Sequence, residues 1–164
     1  MSRHASKVAL VPSAFFDPAS AREVLSQTVR LDPEDKVEYI SLPEFSAELV
    51  YSLSPSPVPE PVEGPELYPE LYYVLKALSG IRDYNKIVAS YSDGLLHLAI
   101  AQGGNLLLAN VFEAADFTTA EYFLFLAVRK FQMNPEVSTV CFRTPLSDEE
   151  RMSLYRYFKS VDNI

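Results

Sequence analysis

At 164 residues, 48% apolar and 22% charged, the chain is long enough to bury a core and has a globular composition. Its net charge of −8 removes the electrostatic attraction that draws proteins to phosphate backbones, which argues against a nucleic-acid partner. A single cysteine excludes an internal disulfide and a cysteine-based metal cluster, and no apolar run reaches the roughly 18 residues of a membrane span, so a cytoplasmic location is expected.

Arg3, His4 and Lys7 stand before an apolar run over residues 8–16, a faint imitation of a signal peptide. Pro12 and Ser13 interrupt the run and no small-residue cleavage site follows Asp17-Pro18, so a leader is not expected. Residues 7–11 are predicted as a strand. Asp17 and Pro18 then read as the N-cap and first position of a helix whose stripe is Ala21, Val24, Leu25 and Thr28. Asp32-Pro33-Glu34-Asp35 is a turn, and residues 37–42 and 47–53 are two further strands.

Residues 54–70, SPSPVPEPVEGPELYPE, carry too many prolines for a strand or a long helix and are expected to form an exposed acidic loop of polyproline character. A helix over residues 71–78 ends at Ser79-Gly80. The boundary between two halves is expected near residues 80–85, giving units 1–81 and 82–164.

The second half is the better patterned. Residues 86–91, 95–101 and 105–112 read as three strands joined by Ser92-Asp93-Gly94 and by Gln102-Gly103-Gly104-Asn105, where glycine beside Asp or Asn supplies the positive φ of short hairpins. Their near-continuous Ile, Val, Leu and Ala predict a sheet covered on both faces. Thr118 to Glu121 has the spacing of a capping box and opens an aromatic helix to about Met133, apolar almost all round, which suits burial between two layers. Residues 138–142 form a short strand, in which Cys141 is an inert core residue. A second capping box, Ser147 to Glu150, starts a last helix with Met152, Leu154, Tyr155 and Phe158 inward. The order βββαβα predicts a mixed α/β fold with the core of the ribonuclease H-like and actin-like ATPase folds.

The segments Leu10-Val11-Pro12-Ser13-Ala14-Phe15-Phe16, Leu106-Leu107-Leu108-Ala109-Asn110-Val111-Phe112 and Asp116-Phe117 resemble a family of uncharacterised bacterial proteins, a domain of unknown function. That resemblance implies an actin-like ATPase fold and a distant similarity to pilus-assembly and secretion-platform proteins. Members usually begin with a further block of strands and helix. This sequence starts almost at the Leu-Val-Pro segment, so the resemblance implies that much of the first actin-like subdomain is missing.

Actin-like ATPases hold phosphates on hairpin loops built around Asp-x-Gly, where glycine lets backbone amides approach phosphate oxygens. The corresponding loop here is Ser90-Tyr91-Ser92-Asp93-Gly94, with Ser90 and Ser92 in place of the Asp and the first Gly. Ser92, Asp93 and Gly94 are thus the phosphate-loop candidates, for Mg-ATP if for any cofactor; a plain hairpin turn explains Asp93-Gly94 by itself and is the favoured reading. A two-metal nuclease is not expected, because residues 86–91 and 138–142 contain no carboxylate. His97 reads as a structural strand histidine, and no P-loop, Rossmann glycine run or G-x-S-x-G is present. The reading is a non-catalytic module that binds a protein partner or itself, with weak nucleotide binding as the alternative.

Overall fold

The computed structural model describes residues 7–53 and 68–164. Most of the proline-rich loop, residues 54–67, and His4 lie outside the described residues. The chain divides into two compact units, Met1–Glu70 and Leu71–Ile164.

The first unit is a three-stranded antiparallel sheet in the order β1-β3-β2, formed by β1 (Val8–Pro12), β2 (Lys36–Leu42) and β3 (Ala47–Leu53). Asp17 accepts a hydrogen bond from the Ala19 amide at 3.0 Å, capping a 3₁₀ turn over Pro18–Ser20 that runs into α1 (Ala21–Ser26). The cap falls where it was predicted, but the first turn is 3₁₀. Ala21 and Leu25 are buried against Val50, whereas Thr28, beyond the helix end, is exposed. Lys7 donates to Asp35 at 2.6 Å, and Arg22 donates to the Asp35 and Asp32 carbonyls, so the 32–35 turn is tied to β1 and α1.

The second unit opens with α2 (Glu70–Ser79), whose Leu71, Val74, Leu75 and Leu78 are buried at i, i+3, i+4 and i+7 spacing. A five-stranded sheet follows: β4 (Asn85–Ser92), β5 (Leu95–Gln102), β6 (Asn105–Glu113), β7 (Thr139–Phe142) and β8 (Ser160–Asn163). Its order is β6-β5-β4-β7-β8. β4, β5 and β6 form an antiparallel meander, while β7 joins β4 and β8 joins β7 in parallel. The parallel pairs need crossovers, supplied by α3 (Phe117–Lys130) and α4 (Asp148–Tyr155).

Ala120, Leu124, Ala127 and Val128 of α3 and Leu154 of α4 join Ile87, Ala89, Leu96, Leu98, Ile100, Val140 and Phe142 in one core. Aromatic stacking fixes α3: Phe123 on Phe112 of β6 at 5.1 Å and Phe125 on Phe158 at 5.6 Å.

Several expectations are corrected. The cap of α3 is Asp116, not Thr118: its carboxylate accepts from the Thr119 amide and hydroxyl, both at 2.8 Å. Asp, Ser and Thr all cap, so composition left the register open. Glu121 instead accepts from Ser153 of α4 at 3.1 Å. The helix ends at Lys130, three residues before Met133, through Gln132 in the left-handed region. It is not buried all round, since Tyr122 and Leu126 are exposed. Nor do Met152 and Tyr155 point inward; they are exposed, while Leu154 and Phe158 are buried. Edge strand β6 is only partly covered, unlike β4 and β5. The Ser147 to Glu150 capping box is present as predicted. Among the described residues, no helix is long and apolar enough to cross a membrane.

Candidate functional site

In open sheets with parallel strands, ligands sit beyond the carboxyl ends of the strands. In this sheet that end is reached by β4 at Ser92 and by β7 at Phe142, and Ser92, Asp93 and Gly94 stand there. Ser92 pairs with Leu95 across a two-residue turn, and both central residues have positive φ, 52° at Asp93 and 73° at Gly94. Both φ values fit a type I′ hairpin, the turn that matches strand twist. The Gly94 carbonyl accepts from the Ala114 amide at 2.8 Å, which ties the turn to the segment leaving β6.

Tyr91 is the hub of this end. Its amide donates to the Thr144 hydroxyl at 3.0 Å and its phenol donates to the Ala114 carbonyl at 2.8 Å. Burial, with the charges of Asp116 and Glu150 nearby, raises the phenol's pKa above the ordinary tyrosine range. Asp116 is held below the ordinary aspartate range by the Thr119 amide and hydroxyl. The hairpin, the Ala114–Asp116 segment and the Arg143-Thr144 loop therefore meet around Tyr91. Sequence reasoning missed Tyr91 and Thr144 because their bond spans 53 residues with no local motif.

Ser90, which the resemblance sets at the position of a phosphate-loop Asp, is 1% exposed and lies opposite His97 in the β4–β5 ladder. Both belong to the sheet face turned away from Ala89 and Leu98, so neither points at the α3–α4 core. The Ser90 hydroxyl has no hydrogen-bond partner among the described residues. β4 thus brings hydroxyls and no carboxylate to this end, while exposed Asp93 comes from the turn itself. Among the described residues, no group of three or more His, Cys, Asp and Glu is arranged to hold a metal ion.

Cys141 is buried in β7, where desolvation foremost, then Asp162 and Asp83, push its thiol up to about 11. A groove of about 260 Å³ lies at the opposite end of the sheet, between Asp83, Asn85, Thr139 and Lys159. An open one of about 670 Å³ borders α1, lined by Arg22, Ser26 and Arg30.

Comparison with known proteins matches residues 3–161 to the family described as "Protein of unknown function (DUF3822)". No curated protein matches the chain. Among solved structures, a Bacteroides thetaiotaomicron protein described as having an actin-like ATPase fold and unknown function superposes with a TM-score of 0.77 at 18% identity. The match covers 98% of this chain and 66% of that one, just under two thirds of its length. The fold is therefore the mixed α/β actin-like ATPase fold, as the order of elements predicted.

Proposed function

The chain belongs to the DUF3822 family, and from that premise we propose that it is a non-catalytic actin-like module that acts as a scaffold or protein-interaction unit. Residues 1–81 read as part of a first actin-like subdomain and 82–164 as the second, ribonuclease H-like one. The observation that supports the reading is that Ser90, at the position where the resemblance expects a phosphate-loop carboxylate, is a buried serine. A seryl hydroxyl neither positions a divalent cation strongly nor orients water as a carboxylate does. Exposed Tyr122, Leu126 and Met152 on the helices support an interaction role. The net charge of −8 and the single cysteine fit a cytoplasmic protein without a nucleic-acid partner.

The expected outcome is phosphate release from Mg-ATP no faster than in a protein-free blank. Turnover that scales with protein and disappears in Asp93→Asn would overturn the proposal.

A second reading, weak nucleotide binding at Ser92, Asp93 and Gly94 with a cleft completed by another chain, is favoured by one feature. The Asp93-Gly94 turn lies at the carboxyl end of β4, and both residues have positive φ. Saturable protection by Mg-ATP, lost on Asp93→Asn without turnover in the parent, is the result this second reading expects.

A further inference from the structure

β6, β4, β7 and β8 point the same way, so α3 and α4, each returning from the end of one strand to the start of another, run parallel to each other. The Ser153–Glu121 hydrogen bond and the 4.6 Å contact of Phe125 with Tyr157 put the two helices side by side. Their outer side is apolar in the middle, with Tyr122 61%, Leu126 49% and Met152 64% exposed. Its two ends carry opposite charge. Asp148, Glu149 and Glu150 lie at the helix starts, with the cap Asp116; Arg129, Lys130, Arg156 and Lys159 lie at the other end. Asp83 and Glu136 are the acids near the basic end, and Arg151, near the acidic end, is turned onto the Val161 carbonyl and Asn163.

A face that is acidic at one end, apolar in the middle and basic at the other is complementary to itself when inverted. A two-fold axis through its centre lays the acidic end of one copy on the basic end of the other, twice, and sets apolar middle on apolar middle. We propose that the outer side of α3 and α4 is a docking surface for a second copy of this chain in that antiparallel arrangement. The proposal rests on the interaction-module reading and names its partner. A side-by-side helix pair about 20 Å long at α3, about 12 Å at α4 and about 20 Å wide is small for an interface, so the dimer is weak and depends on concentration and salt.

Sedimentation velocity over a concentration series of the full chain tests it, with two charge variants. Arg129→Glu with Lys130→Glu cancels the charge of the basic end, where Arg156 and Lys159 remain; Asp148→Lys with Glu149→Lys cancels that of the acidic end, where Asp116 and Glu150 remain. The parent is expected to approach twice the monomer mass as concentration rises. Each variant alone dimerises at least about tenfold more weakly, and an equimolar mixture of the two recovers the dimer. Recovery in the mixture also shows that both variants are folded. A parent that stays monomeric, a variant that dimerises as well as the parent, or a mixture that stays monomeric would overturn the proposal. A monomer that also leaves Mg-ATP intact overturns self-docking alone, whereas turnover overturns the non-catalytic reading whatever the mass.

Discussion

Asp35 shows how one side chain organises a turn. It accepts from Lys7 at 2.6 Å and from the Asp32 amide at 2.9 Å, and these bonds, the Lys7 one foremost, hold its carboxyl below the ordinary aspartate range. A carboxyl whose folded pKa is depressed stabilises the fold above its unfolded pKa and loses that contribution as pH falls through the folded one. Asp35→Asn is therefore expected to lower the urea midpoint at pH 7, with the gap to the parent closing below about pH 3.9. A gap that persists unchanged at lower pH would show that the carboxylate is not the source. Cys141 makes a second prediction at this scale. With its thiol pushed up to about 11 by burial, it is protonated at neutral pH and shielded. Ellman's reagent should react with it only as fast as the protein unfolds, and at the rate of a free thiol in urea. The sequence indicated its inertness, since it lies in an apolar strand. The Tyr91–Thr144 bond was not legible, because nothing in either local segment announces a partner 53 residues away.

Helix starts give the sharpest test at the scale of elements. Asp116 caps α3 and Ser147 caps α4. Replacing either by Ala should cost about 1 kcal/mol, read as a lower urea midpoint at unchanged slope. Thr118→Ala should stay within about 0.5 kcal/mol; equal losses at Thr118 and Asp116 would contradict the observed cap. Legibility followed the strength of local signals. Glycine-bearing turns delimited β4, β5 and β6 almost to the residue. β8 went unread because Ser-Val-Asp-Asn is polar, only four residues long and buried at Val161 alone. An eight-residue helix leaves its apolar stripe ambiguous between adjacent rows, which is why the sequence pattern sets Met152 and Tyr155 inward although they are exposed.

For the whole molecule, the βββαβα pattern was legible because meander turns and capping signals punctuate it, and the 0.77 TM-score to an actin-like ATPase fold agrees. The core that supports this topology is one face of the sheet under α3, so Leu124→Ala is expected to cost about 2–5 kcal/mol. Of the candidate site only the Asp93-Gly94 turn was legible, because a turn motif does not reveal which groups from other strands surround it. Ser90, for example, is buried and pairs with His97 of the next strand. The most direct test is a thermal-shift titration of the full chain with Mg-ATP and Mg-ADP. A bound ligand at 100 times its dissociation constant would add about 2.7 kcal/mol and raise the melting temperature visibly. No shift up to millimolar nucleotide is the expected result; a saturable shift, abolished in Asp93→Asn, would contradict an actin-like module that works without nucleotide.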